Sequence, residues 1–399
     1  MKKCISIFTA IILLLCGCNQ IEEDHDAFFD TFLLTDMRVD GVSVPALFNP
    51  AKGTMTPLCT DPLCAHTEKV GCPFAWYNTI WEPHYYNGSI WFLSMTVPGN
   101  LEEFAVMRYD MDTAKVTELI CMEELREYIP DTVSQETGQS FGFLNGYFRY
   151  TVRSEDSTPA FRLRVNLDSG EVEILTNEYS QPFTEYKNQY LAYTPELDYT
   201  GVSYGMLITD EDGNIKETIL PEKRISPAFD DLLDDGKLIY ITAVQTDDGK
   251  YDWDRETVWL YDMETGEDYA VIEDFTSVYL AAAGDYIYYS RDVDDPPKMG
   301  YDLNRNEEKF NLSGGILFRV NIHTGEESIA FEMPEYVLNG IEIDRVGQYI
   351  IIGYQRTDYD NYEEEATDRG IWYDYAKENG RIVYDTESGT AAVYKEEPQ

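Results

Sequence analysis

The sequence predicts an all-β protein folded as a β-propeller of seven four-stranded blades. A short motif recurs along the chain: a strand end, a polar turn that opens with Asp or Asn and usually closes with Gly, and a new strand, as in residues 261–267. Upstream of most copies, Asn or Gly precedes alternating aromatic and β-branched residues, and another apolar run precedes those. Four short strands in each repeat of about 45 to 65 residues are typical of propeller blades.

The recurrent turn occurs seven times and predicts seven hairpins. Strict alternation on both sides of a short polar segment is the pattern of a β-hairpin. The Gly supplies the positive φ that such a turn needs, and the Asp or Asn side chain can accept hydrogen bonds from the turn backbone. The seven copies are residues 48–53, 109–114, 165–170, 208–213, 261–266, 320–325 and 384–389.

The first repeat is irregular. Residues 28–58 contain a hairpin, but only one apolar run, residues 31–34, precedes it. We therefore expect the first blade either to borrow a strand or to depart from the four-stranded pattern. The alternative to a propeller is a sandwich built from unrelated meanders.

The N-terminus predicts export and a lipid anchor. Two lysines precede the apolar residues 5–15, which are too few to span a bilayer. The following Leu15-Cys16-Gly17-Cys18 resembles a bacterial lipobox, in which Cys18 would carry a diacylglyceryl group and a fatty acyl chain such as palmitate. Several chains make such an anchor stable. The alternative is an ordinary secretory signal. The predicted organisation is a signal peptide at 1–17, an acidic tether at 18–27 and a single propeller domain at 28–399.

The charge balance excludes some partners. The chain has 74 acidic and 30 basic residues, a formal net charge of −44 over 399 residues. Nucleic-acid binding needs an excess of Lys and Arg, so a nucleic-acid partner is not expected. Docking of the folded body on anionic lipid is disfavoured for the same reason. We expect a monomer that attracts cations.

A cysteine-rich segment at 59–72 predicts a structural site. Cys59, Cys64, His66 and Cys72 form the spacing C-x4-C-x-H-x5-C. Three thiols and an imidazole are the ligand set of a closed tetrahedral zinc site. The alternative is disulfide bonding outside the cytoplasm, in which Cys121 could pair with a member of the segment. His66 favours zinc, because a disulfide does not require it.

This segment resembles a group of uncharacterised surface lipoproteins from anaerobic Gram-positive bacteria. Their repeats are similar to the propeller of low-density-lipoprotein-receptor-related proteins, and residues 286–290 (Tyr-Ile-Tyr-Tyr-Ser) and 317–321 (Leu-Phe-Arg-Val-Asn) match that pattern. The Tyr-Trp-Thr-Asp tetrapeptide of the receptor repeats is missing. The resemblance covers most of residues 18–395 and implies a propeller fold, but no activity.

Long connections between the second and third strands of the blades predict a binding face. They are acidic and rich in Tyr and Trp, which can stack on and hydrogen-bond a sugar or peptide. The predicted ligand-binding residues are Tyr199, Tyr251, Trp253, Tyr301, Asp358, Tyr359, Asp360 and Trp372. Asp358, Asp360, Asn361 and Glu363 could alternatively supply oxygen ligands to Ca²⁺, although the run lacks the regular spacing of an EF-hand. The third interpretation is that these are solvated loops of an acidic protein.

Recognisable catalytic motifs are missing from the sequence. There is no Gly-x-Ser-x-Gly, phosphate loop, dinucleotide fingerprint or His-Glu-x-x-His. Of the four histidines, His25 falls in the tether, His66 in the cysteine segment and His323 in a turn, and we interpret His84 as a packed residue. We therefore expect a membrane-anchored, extracytoplasmic binding or scaffold module without catalytic residues. A carboxylate-dependent glycan hydrolase or lyase is the alternative.

Overall fold

The computed structural model describes most of the chain after residue 27. The described residues are 28–39, 42–59, 80–95, 104–130, 133, 139–153, 159–175, 182–187, 189–193, 203–210, 214–233, 235–245, 251–275, 280–290, 315–333, 337–357 and 376–395.

The protein is a seven-bladed β-propeller in which every blade is an antiparallel meander. The first blade contains β1 (Leu33–Val39), β2 (Val42–Asn49) and β3 (Thr54–Pro57). The second contains β4 (Ile80–Tyr86), β5 (Ser89–Met95), β6 (Phe104–Asp110) and β7 (Lys115–Cys121), which the helix α1 (Met122–Arg126) follows. The third contains β8 (Gln139–Leu144), β9 (Tyr147–Arg153), β10 (Pro159–Asn166) and β11 (Val172–Leu175).

The fourth and fifth blades belong to one seven-stranded sheet. Its strands are β12 (Pro182–Tyr186), β13 (Gln189–Tyr193), β14 (Ser203–Thr209), β15 (Ile215–Leu232), β16 (Lys237–Gln245), β17 (Tyr251–Asp262) and β18 (Asp268–Phe275). The sixth blade contains β19 (Leu280–Ala283), β20 (Tyr286–Tyr289), β21 (Ile316–Asn321) and β22 (Glu327–Glu332). The seventh contains β23 (Val337–Val346), β24 (Tyr349–Thr357), β25 (Ala376–Asp385) and β26 (Thr390–Lys395).

Strand β15 serves two blades. It neighbours β14 on one side, and its C-terminal half pairs with β16, from Ile225 opposite Thr242 to Leu232 opposite Leu238. One strand of 18 residues is therefore the last strand of the fourth blade and the first of the fifth. The prediction of seven blades is confirmed. The expected irregularity of the first blade is confirmed as well, since that blade has three strands in the described part of the chain.

Six of the seven recurrent turns lie within the described residues and form as the sequence predicts, and the residues that flank 211–213 in the fourth are described. Each of the seven opens with a side chain that accepts hydrogen bonds from the backbone beyond it. The first residue accepts hydrogen bonds from backbone N–H groups two to four positions later, at N···O distances of 2.8–3.4 Å. These residues are Asn49, Asp110, Asn166, Asp210, Asp262, Asn321 and Asp385. Such side-chain turns replace backbone bonds that a tight reversal cannot make. Both interpretations of the motif are confirmed, since Gly closes five described turns with φ between +61° and +73°, and Ala114 takes φ +53° in the second blade.

A backbone hydrogen bond ties the recurrent turn to the other hairpin turn of the same blade. In the second blade the Met111 N–H donates to the Gly88 carbonyl at 3.2 Å, and in the sixth the Ile322 N–H donates to the Asp285 carbonyl at 2.9 Å. The third, fifth and seventh blades repeat the bond. Each of these blades is thus stiffened at the end where its two short turns lie.

The chain divides into two compact units, Met1–Leu47 with Met55–Lys223 and Phe48–Thr54 with Arg224–Gln399. In the first unit, one apolar cluster joins the facing sides of the second and third blades around Phe104 and Phe148, and a second joins the first two blades around Ile90. In the second unit, clusters around Val258 and Ile350 join the fifth blade to the sixth and the sixth to the seventh. Alternating strand residues supply most of the four clusters, as expected for sheets packed face to face, and helix α1 adds Met122 and Leu125 to the first.

Candidate functional site

The two ends of a blade differ in the length of their connections in the second, fourth, sixth and seventh blades, and most strongly in the last two. From the second blade to the seventh, the connection from first to second strand and the one from third to fourth have two to five residues each, as in 87–88 and 263–267. We call this side the turn end of a blade. The connections from second to third strand are 96–103, 154–158, 194–202, 246–250, 290–315 and 358–375. We call their side the loop end.

Polar side chains at the turn end are engaged in maintaining the fold. Hydrogen bonds from Thr113 hold the pKa of the Asp110 carboxyl below its usual range, and backbone donors at Thr265 and Glu264 do the same for Asp262. His323 is exposed, as predicted for a turn residue, and its Nε2 lies 3.2 Å from Asp285. These groups therefore serve the turns themselves.

The loop end of the fifth blade differs from the sequence-based prediction. Tyr251 and Trp253, predicted to lie in a loop, belong to β17. On β16, Val244 lies opposite Asp252 whereas its neighbour Ala243 lies opposite Glu256, so residues 253–255 form a bulge. The loop interpretation is wrong because the strand resumes immediately beyond 246–250. Bulges frequently re-aim side chains beside functional sites.

Glu256 follows this bulge directly, and among the described carboxylates its pKa is raised the most. It lies opposite Ala243 and Phe275 and shares a strand face with the fully buried Val258 and Leu260. Burial raises the pKa of Glu256 to about 7. A carboxyl group of this kind can exchange a proton near neutral pH. Sequence reasoning missed it, although an acid at the inward position of an apolar alternation was visible in residues 256–260.

Two buried arginines in the third blade were also missed. Arg149 and Arg162 are 2% and 3% exposed, on the same sheet face as the buried Thr151. Arg164 continues this face, and its Nε lies 2.7 Å from Glu173 Oε2. The available signal was arginine at alternating positions of β9 and β10. The face concentrates positive charge in a strongly acidic chain.

Cys59 is the one member of the predicted zinc site that the structure describes. Its side chain is buried in the apolar cluster of the first two blades, beside Leu58. The Tyr109 hydroxyl donates to the Leu58 carbonyl at 2.9 Å, and burial together with the Cys59 charge raises the pKa of Tyr109. This start of the segment is therefore anchored in the core, as a structural site requires. Cys64, His66 and Cys72 lie outside the described residues.

A different group of potential metal ligands occurs where β7 meets α1. Single ligand atoms of Glu118, Cys121 and Glu124 lie within 4.8 Å of one another. Both carboxylates are exposed, and Glu124 already accepts a hydrogen bond from the Cys121 N–H at 3.0 Å. Cys121 carries a free thiol in this structure. Three donors without further ligands are a weak metal site, and sequence reasoning had considered Cys121 only as a disulfide partner.

The remaining candidate residues divide into one that is described and several that are not. His84 is buried and stacks on Phe143 at 5.8 Å between ring centres, which confirms the interpretation of a packed histidine. The lipidation residue and most predicted ligand-binding residues lie outside the described part of the chain: Cys18, Tyr199, Tyr301, Asp358, Tyr359, Asp360 and Trp372. Among the described residues, no helix is long and apolar enough to cross a membrane.

Comparisons with known proteins give structural likeness only. No protein-family model and no curated protein matches the chain. An oligogalacturonate lyase in complex with manganese is 14% identical at a TM-score of 0.47, covering 81% of this chain and 82% of its own. The tricorn protease is 8% identical at a TM-score of 0.37, and the match spans 79% of this chain but only 26% of that protease. The β-propeller domain of the Trilobed protease from Pyrococcus furiosus is 15% identical at a TM-score of 0.37, and the match covers 63% of this chain and 68% of that domain. Similarity at this level carries no inference about ligand or reaction.

Proposed function

We propose that this protein is a lipid-anchored, extracytoplasmic propeller that binds a glycan, peptide or protein ligand with the loop ends of its blades. The observation that carries the proposal is the contrast between the two ends. Turn-end connections have at most five residues, whereas the loop-end connections of the sixth and seventh blades run over 290–315 and 358–375. Long connections on a rigid scaffold are where binding residues concentrate.

The composition of these connections supports the proposal. Residues 290–315 and 358–375 contain Tyr301, Tyr359 and Trp372 among many acids. Aromatic rings stack on sugars or peptides, and carboxylates accept hydrogen bonds from hydroxyl or amide groups. The bulge of β17 adds Tyr251 and Trp253 to the loop end of the fifth blade. The ligand class is therefore one with both apolar faces and hydrogen-bond donors.

Binding would be tested with arrays of immobilised oligosaccharides and peptides. Trp253→Ala and Trp372→Ala should each weaken binding about fivefold, because a stacked aromatic contact contributes roughly 1 kcal/mol. Tyr269→Ala is the control, since Tyr269 is an exposed aromatic residue near the start of β18, at the turn end of the fifth blade. Binding that survives both tryptophan changes, or that the control reduces as strongly, would contradict a loop-end site.

The anchor has a separate test. Cys18→Ala should abolish incorporation of radiolabelled palmitate and release the protein from the membrane fraction, because Cys18 is the residue that would be acylated. Cys16→Ala is the control, since the cleaved signal would carry Cys16 away. Equal labelling of both variants would mean that Cys18 is not the anchor.

One observation favours the enzymatic alternative. Glu256 has a pKa raised to about 7 and follows a bulge at the loop end, as a proton donor in a glycan hydrolase or lyase requires. Incubation with plant and bacterial polysaccharides would test it. Glu256→Gln should abolish product formation while the exposed Glu273→Gln leaves it unchanged. Product formation that Glu256→Gln does not alter would exclude this acid from catalysis.

A further inference from the structure

The turn of the first blade packs against the last blade. The segment Phe48–Thr54 belongs to the compact unit that contains Arg224–Gln399. Phe48 is 2% exposed, and its ring meets that of Tyr394 edge-on at 5.7 Å between centres. The Arg381 guanidinium lies 6.0 Å from the centre of the Phe48 ring. We call this contact, between Phe48–Thr54 and strands β25 and β26, the seam.

Gly53 is required at the seam for two reasons. Its φ is +61°, which an L-residue adopts only at a cost. A Cβ at this position would lie 2.0 Å from Tyr394 Cε1, so the tyrosine ring occupies the place of a side chain. Gly325, the equivalent residue of the sixth blade, has φ +68° and no neighbour within 4 Å of an added Cβ. The two glycines thus share a backbone requirement and differ in the ring above them.

The seam repeats a contact that consecutive blades make. Leu119 on the last strand of the second blade would lie 3.5 Å from a Cβ on Gly170 in the turn of the third. On the last strand of the fifth blade, the Tyr269 hydroxyl donates to the Ile322 carbonyl in the turn of the sixth at 3.2 Å. In each case the last strand of one blade touches the recurrent turn of the next. Tyr394, on the last strand of the seventh blade, touches Gly53 in the recurrent turn of the first blade in the same way.

No short connection joins the first and last blades at the seam, whereas consecutive blades have one. The fifth and sixth blades are joined by residues 276–279 and the sixth and seventh by 333–336. In the described part of the chain, the first sheet is built only from strands within residues 33–57, so no described strand of the last blade joins it. Separation at the seam is therefore not restrained by a short connection, whereas neighbouring blades stay joined by segments such as 276–279.

We propose that the contact of the Tyr394 ring with Gly53 holds β26 against the first blade, and that the propeller opens at this seam before any other pair of blades separates. A side chain on residue 53 would push the Tyr394 ring aside, because the far end of that ring is what it meets. β26 would then lose its contact with the first blade, and its pairing with β25, which is its described strand pairing, would open more often.

Hydrogen exchange of the full chain, read by mass spectrometry, tests the proposal. Gly53→Ala should accelerate exchange in β26 at least tenfold and leave β22 unchanged. Gly325→Ala is the matched control, with the same backbone cost and no ring above it, and should accelerate exchange near β22 but not in β26. Tyr394→Ala should release β26 by itself, whereas Tyr394→Phe, which keeps the ring, should not.

A double substitution distinguishes loss of the Tyr394 contact from the cost of the left-handed backbone conformation at residue 53. In the Tyr394→Ala background, Gly53→Ala should add no further acceleration in β26, because the ring that it displaces is gone. Equal acceleration of β26 by Gly53→Ala and Gly325→Ala would overturn the proposal. So would a Tyr394→Ala variant whose β26 stays as protected as in the native chain, and this arm remains decisive if Gly53→Ala fails to fold.

Discussion

The last residue of the recurrent turn is glycine in the sixth blade and alanine in the second, so exchanging the two residue types should change the stability of the protein in opposite directions at the two sites. Gly325→Ala should lower the free energy of unfolding, and Ala114→Gly should raise it. Both positions have left-handed backbone, with φ of +68° and +53°. For an L-residue this conformation costs about 1–2 kcal/mol, of which about 0.4–1 kcal/mol is regained because alanine reduces the freedom of the unfolded chain. The net effect is about 1 kcal/mol lost at residue 325. The gain at residue 114 is smaller, because Ala114→Gly also removes the packing of the Ala114 methyl group against the cluster of the first two blades.

Equilibrium unfolding in urea, followed by tryptophan fluorescence, measures both effects. With a slope on the order of 3 kcal/mol per molar for a chain of this size, 1 kcal/mol moves the midpoint by about 0.3 M. Nothing lies within 4 Å of a Cβ added at Gly325, so the loss there is due to the backbone alone. Ala270→Gly is the control for the reverse change, since Ala270 lies within β18 and glycine weakens a strand. A midpoint lowered by Ala114→Gly, or unmoved by Gly325→Ala, would refute the reasoning.

Three further predictions address the turns, the buried acid and the cysteines. Asn321→Ala should destabilise the protein by about 1 kcal/mol, because Asn321 Oδ1 accepts two backbone N–H bonds at 3.0 Å, whereas Asn321→Asp keeps the acceptor and should stay near native in thermal unfolding. The folded-state pKa of Glu256, about 7, exceeds its ordinary value of 4.5, so its contribution to stability is complete below about pH 4.5 and is lost as pH rises through 7. Glu256→Gln should therefore be more stable than the native protein by on the order of 1 kcal/mol at pH 8, after allowance for solvent screening, and by little at pH 5, as thermal unfolding at the two pH values would show. Elemental analysis should find about one zinc per chain that Cys59→Ser removes and Cys121→Ser retains; the reverse pattern would place the metal with Glu118 and Glu124 instead.

The hairpins and their number could be predicted because their determinants are local. Asn321 and Asp262 reach backbone donors only two and three residues away, and the closing glycine acts on its own φ. Such interactions depend on a few consecutive residues and not on the rest of the chain. Strict alternation on either side then determines which residues face a core.

The shared strand and the bulge depend on partners farther along the chain. Pro221 and Pro227 within residues 215–232 indicate a break in strand pairing, but they do not reveal that one strand neighbours β14 and then pairs with β16. Tyr251 and Trp253 were assigned to a loop because their acidic, aromatic surroundings are typical of loops. Pairing with β16 overrides that composition, since backbone hydrogen bonds to a neighbour stabilise a strand regardless of local propensity.

The sequence by itself therefore determined the repeat, the turn chemistry and the number of blades, which rest on contacts within a few residues. Only the tertiary structure decided the three-stranded first blade, the pKa of Glu256 and the meeting of Tyr394 with Gly53. Desolvation of Glu256 comes from residues of neighbouring strands such as Ala243 and Phe275. The seam joins residues at opposite ends of the propeller sequence. Burial and long-range packing are set by the whole fold, so no local pattern encodes them.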